Sequence, residues 1–91
     1  MNIEQANAIT LPEILQKIGS LPVRQKGADI WYCSPLRDER TASFHVNINK
    51  NKWFDFGIAK GGDTVAFVRA YLQSHNEDST TADALRWIDK V

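Results

Sequence analysis

Cysteine is almost missing from this chain. Cys33 stands alone among 91 residues, which excludes an internal disulfide and makes a reducing, cytoplasmic setting the expectation. Net charge is missing as well: eleven basic residues balance eleven acidic ones, so no global field draws the protein to nucleic acid or to a membrane, and any charge-driven binding must come from a local patch. No apolar run approaches the ~20 residues of a membrane span, and the opening MNIEQANAI has no basic segment ahead of an apolar one, so neither a transmembrane helix nor a signal peptide is expected. Nucleotide-binding glycine motifs are absent, since the Gly57 to Asp63 stretch lacks the Gly-Lys-Ser/Thr ending of a phosphate-binding loop. The carboxylates are scattered over turns and helix starts, with no cluster to hold magnesium, so a catalytic role is not expected.

What is present fits one small domain spanning residues 1–91. Met1 to Ile9 reads as a loose polar end. Thr10-Leu-Pro-Glu13 has the form of a capping box, and Leu11, Ile14, Leu15 and Ile18 make one apolar stripe that Gly19 closes. Two strand-like segments, Leu21 to Lys26 and Asp29 to Ser34, flank a turn at Gly27-Ala28 and predict a hairpin. Pro35 and the charged run Arg37-Asp38-Glu39-Arg40 read as loop. Alternation resumes with Phe44, Val46 and Ile48, turns at Lys50-Asn51 and returns through Lys52 to Phe56, predicting a second antiparallel hairpin. On β-strand alternation Phe54 and Phe56 are assigned to the core and Trp53 to solvent. Gly57 to Gly62 reads as a glycine-punctuated loop. Asp63 caps a helix carrying Val65, Phe67, Val68 and Leu72, and Thr80 with Asp83 opens a last helix carrying Ala84, Leu85, Ile88 and Val91. The fold class is therefore α+β: a small antiparallel sheet of two hairpins, with one helix before it and two after. Because the last stripe runs to Val91 without a stop signal, the chain is expected to be the N-terminal fragment of a longer protein.

The stretch from Trp31 to Asp63 resembles the CHC2-type zinc-finger domain at the N-terminus of bacterial DNA primases, in particular primase-like proteins of mobile elements. Pro35, Glu39-Arg40-Thr41-Ala42-Ser43-Phe44, Phe56-Gly57 and Gly61-Gly62-Asp63 carry the likeness, with Ala82-Asp83-Ala84-Leu85-Arg86-Trp87 matching the next helix. The resemblance implies a zinc-ribbon-like sheet, single-stranded DNA as partner, and catalysis in a separate Toprim-type domain, with a replication helicase as a further partner. In the alignment set by Pro35 and Phe56-Gly57, however, the four metal-ligand positions fall on Ser34, Arg37, Asp55 and Ile58. An arginine and an isoleucine are not zinc ligands, so zinc is expected to be absent. Its stabilisation, on the order of 10 kcal/mol in small zinc domains, would have to come from elsewhere. Ile30, Tyr32, Phe44, Val46, Ile48, Phe54, Phe56 and Ile58 are the apolar candidates, at roughly 1.5 to 3 kcal/mol for each one buried. An ion pair between Arg37 and Asp55 across the former ligand positions is expected.

For nucleic-acid binding the candidates are Arg37, Arg40, Lys50, Lys52 and Lys60 as phosphate contacts and Trp53 as a stacking platform, since backbone charge supplies affinity and stacking accepts any base. The alternative is a structural or protein-docking module that has lost both metal and DNA binding and uses Trp53 or Trp87 as its contact.

Overall fold

A computed structural model describes residues 1–37 and 41–91, so Arg40 and its neighbours Asp38 and Glu39 lie outside the described residues. The elements run α1 (Ile3–Asn7), α2 (Leu11–Lys17), β1 (Arg24–Lys26), β2 (Asp29–Tyr32), β3 (Phe44–Asn47), β4 (Lys52–Asp55), β5 (Lys60–Gly62), α3 (Thr64–Ser74) and α4 (Thr81–Lys90). The five strands form one antiparallel meander in the order β1-β2-β3-β4-β5. Both expected hairpins are present, and Lys60–Gly62, read from sequence as loop, adds a fifth strand beside β4. Two glycines there allow a close approach: a Cβ at Gly61 would stand 2.4 Å from the Trp53 carbonyl oxygen.

The core lies between one face of the sheet and the helices. Ile30, Tyr32, Phe44, Val46 and Trp53 come from the strands, and Leu11, Ile14, Leu15, Phe67, Val68, Leu72, Ala84 and Ile88 from the helices. Trp53 is the clearest correction. It is buried, whereas Phe54 and Phe56 are 37% and 64% exposed. The register explains this: β3 pairs Val46 with Trp53 and Phe44 with Asp55, which turns Trp53 inward. There the indole stacks on Phe44 at 5.4 Å, meets Phe67 edge-on at 5.9 Å, and donates its N–H to the Asp63 carbonyl at 3.0 Å. Ile48 and Ile58 are also exposed rather than core. Of the eight apolar residues expected to compensate for a metal, Ile30, Tyr32, Phe44 and Val46 are buried. The helices supply the rest of the core.

The N-terminal segment is ordered, not loose. Asn2 caps α1 through a reciprocal pair with Gln5, and Ala6 is buried against the core. Asn7 then ties this helix to α3, its amide donating to Asp63 Oδ2 at 3.1 Å and its carbonyl accepting from Val65 N–H at 2.9 Å. Asn51, in the left-handed region at φ 50° in the β3–β4 turn, accepts from Leu11 N–H at 2.8 Å and donates toward the carbonyls of Asn7 and Ile9. That contact replaces the capping box expected at Thr10, which starts α2 without a side-chain hydrogen bond. Gly19 closes α2 at φ 80°, Asp63 caps α3 through Ala66 N–H, and Thr80 with Asp83 caps α4 as the spacing predicts.

Candidate nucleic-acid interface and the former ligand positions

Turning Trp53 inward also turns Asp55 inward, because the two are i and i+2 on β4. Asp55 has 0% exposure. A carboxylate there is tenable only if it is fully bonded. Its Oδ2 accepts from Ser34 Oγ at 2.6 Å, and its Oδ1 accepts from Arg37 Nη2 at 2.8 Å and from Gly57 N–H at 2.9 Å. Arg37 Nη2 also donates to Ser43 Oγ at 3.0 Å. The expected ion pair is thus formed at 2.8 Å. Burial pushes the Asp55 carboxyl upward, but the hydrogen bonds from Arg37, Ser34 and the Gly57 N–H, with the Arg37 charge, bring it below its ordinary value of 3.8.

Gly57 makes room for this arrangement. A Cβ there would fall 1.7 Å from Arg37 Nη2. The guanidinium therefore lies against the Phe56-Gly57 turn, and three of the four former ligand positions, Ser34, Arg37 and Asp55, join in one hydrogen-bonded cluster. Ile58 does not join it and is 40% exposed. This donor set does not fit zinc: its one anionic oxygen donor is held by a guanidinium, and neither Arg37 nor Ile58 has a lone pair to offer. Among the described residues no three His, Cys, Asp or Glu side chains converge as a metal site. Cys33 is half-buried and free.

The opposite face of the sheet is open, and its side chains fall in two rows. Cross-strand partners run Arg24, Trp31, His45, Phe54, Gly61 across all five strands, about 19 Å at the usual ~4.8 Å spacing. Beside it runs Lys26, Asp29, Asn47, Lys52. The Arg24 guanidinium carbon lies 4.5 Å from the Trp31 ring centre, and Trp31 meets His45 at 4.9 Å. Phe54 and Phe56 meet edge-on at 4.8 Å and are the most open rings of the face. Asp29, the one acid in these rows, accepts from His45 Nε2 at 2.8 Å and Asn47 Nδ2 at 3.2 Å. The His45 hydrogen bond chiefly holds its carboxyl below the ordinary value.

The candidates read from sequence do not form one surface. Lys52 lies on the open face and Lys50 in the adjoining turn, both exposed. Lys60 pairs with Asp55 across β4 and β5 and lines a cavity against α3. Arg37 is committed to Asp55, Trp53 offers no stacking face, and Arg40 lies outside the described residues. Trp87 is half-buried against Tyr71, with ring centres 5.8 Å apart. Sequence reasoning missed Arg24, Lys26, Phe54 and Phe56 as surface groups and set His45 aside. The cross-strand register that joins them was available only in part from the alternation of β3.

Set beside known proteins, these features have a consistent counterpart. The family model of the CHC2 zinc finger matches residues 3–87. The chain belongs to the CHC2 zinc-finger family of DNA primases. It is 37% identical to a DNA primase of Helicobacter pylori over 60 residues, 65% of this chain and 11% of that protein. It is 28% identical to a DNA primase of Legionella pneumophila over 82 residues, 90% of this chain and 14% of the relative. A DNA primase of Mycolicibacterium smegmatis is 42% identical over 48 residues, 52% of this chain and 8% of that protein. The chain therefore spans about a tenth of the length of the primases it matches. No solved structure matches it. Among the described residues no helix is long and apolar enough to cross a membrane.

Proposed function

We propose that this chain is a zinc-free, primase N-terminal-like accessory module that binds single-stranded DNA on the open face of its sheet, in replication or in the mobilisation of an element. The observation that carries the reading is the row from Arg24 through Trp31 and His45 to Phe54, flanked by Lys26 and Lys52 and extended by Phe56. It combines cations at both margins with exposed rings between them, the pairing that gives sequence-tolerant single-strand binding. Catalysis of primer synthesis belongs, on this reading, to a separate domain, since the open face holds a single carboxylate already bonded to His45 and Asn47. The cluster of Arg37, Asp55, Ser34 and Ser43 takes over the task of holding the β2–β3 connection to the β4 turn, with no metal in it.

The test is a titration of labelled single-stranded DNA at about 50 and about 200 mM salt, where phosphate contacts predict a steep loss of affinity. Absence of binding at the lower salt contradicts the proposal. A protein-docking role is the second reading, favoured by the exposed Phe56 and Ile58 beside one another in the chain. It predicts no salt-dependent DNA binding.

A further inference from the structure

A cavity of about 300 Å³ lies between β5 and α3, outside the ion-pair cluster and off the open rows. Small residues create it. Ala66 and Ala70 face it from α3, and Gly61 bounds it from β5, where no side chain fits. Its charged lining is of one sign: Lys60 from β5 and Arg69 from α3, with the Gln73 amide nearby and no carboxylate. Arg69 Nε donates to the Ser79 carbonyl at 2.9 Å, which fixes the guanidinium while its two terminal nitrogens keep no protein partner among the described residues. Lys60 forms no ion pair among them either. The acid close by in sequence, Asp63, has its oxygens bonded to Ala66 N–H and the Asn7 amide. Glu77, Asp78 and Asp83 line a different cavity.

We propose that this cavity is a phosphate pocket for a nucleotide. Two cations, one a guanidinium able to grip two phosphate oxygens at once, are the chemistry that recognises a phosphate. The volume is at the lower end for small-ligand sites, enough for a sugar-phosphate unit against the Trp53 edge. Gly61 is both the cross-strand partner of Phe54 and a wall of the cavity, so the pocket opens where the aromatic row ends. A phosphate could come from a strand leaving the sheet face or from a free nucleotide. The first source rests on the open-face reading above, and the second does not.

The two are separated by following ¹⁵N-labelled protein by NMR during titration with thymidine, with thymidine monophosphate and with an unphosphorylated thymidine nonamer. The Trp53 indole N–H, Arg69 Nε–H and Gly61 amide report the pocket. The Trp31 indole and Phe54 amide report the open face. The monophosphate is expected to move the pocket signals and thymidine to leave them still. The nonamer is expected to move both sets if the strand is the source, and only the face set if the pocket serves free nucleotides. The double variant Lys60→Gln, Arg69→Gln should abolish the monophosphate response. If the strand is the source, it should also lower nonamer affinity about tenfold, with the logarithmic salt slope shallower by about 1.4, or ~0.7 for each lost phosphate contact. Pocket signals that neither the monophosphate nor the nonamer moves would overturn the proposal. A nonamer that moves the pocket but not Trp31 and Phe54 would instead sink the open-face reading and leave the pocket standing.

Discussion

Replacing Arg37 by methionine removes the cation from a carboxylate that has no contact with solvent. Breaking a buried pair in this way costs about 3 to 5 kcal/mol when the remaining charge is stranded. Two facts moderate that figure here. Asp55 keeps its bonds from Ser34 at 2.6 Å and from Gly57 N–H at 2.9 Å, and the Arg37 side chain is 30% exposed, so solvent screens part of the pair. The expected loss is about 2 to 3 kcal/mol at neutral pH. Total stability for a chain of this length is on the order of 5 to 14 kcal/mol, so the variant remains folded. The pH dependence is the sharper signature. The folded-state pKa of Asp55 lies below its ordinary 3.8, so its contribution to stability is present above that value and is lost as pH falls through the folded value. In the variant that contribution is already gone, and the gap between the two proteins closes on acidification. Urea unfolding followed by tryptophan fluorescence, at pH 7 and at about pH 3, measures both. A loss under ~0.5 kcal/mol at pH 7, or one equally large at both pH values, would refute the reasoning.

Four further outcomes are expected. Gly57→Ala should destabilise by about 1 to 3 kcal/mol by displacing the guanidinium, and much less when Arg37 is already methionine; urea denaturation of the pair and double variant measures the coupling. Asn51→Ala strands Leu11 N–H and two carbonyls and should cost about 2 to 4 kcal/mol, read as a shift in the urea midpoint at unchanged slope. Phe56→Ala should leave stability within about 1 kcal/mol but weaken single-stranded DNA binding by about 1 to 3 kcal/mol in an anisotropy titration. Trp53→Ala should do the reverse in origin, costing about 3 to 5 kcal/mol of stability through the cavity it leaves, visible in thermal melts.

Local signals carried much of the fold. The apolar stripes of α2, α3 and α4, the caps Asp63 and Thr80, and the turns at Gly27 and Asn51 each depend on contacts a few residues apart, and these appear where the spacing puts them. The ion pair of Arg37 with Asp55 was legible because the family resemblance set two substituted positions facing one another. The facing of β4 was not. Phe54 and Phe56 form an apolar set as good as Trp53 alone, and the choice between them rests on a distant fact: Asp55 can be buried because Arg37 and Ser34 meet it there. Once that face is chosen, the open surface changes hands, from Trp53 to Phe54, Phe56 and Trp31. The order of α1 was likewise hidden, since it depends on Asn7 and Asn51 bonding across some 40 to 60 residues of sequence separation.

The central claim joins two statements, that no zinc is needed and that the sheet face binds single-stranded DNA. Both are tested by one anisotropy titration of a labelled thymidine oligomer at about 50 mM salt, carried out in excess chelator. The account predicts that binding persists unchanged in chelator and falls steeply at about 200 mM salt. Loss of binding on chelation, or no binding at the lower salt, would contradict it.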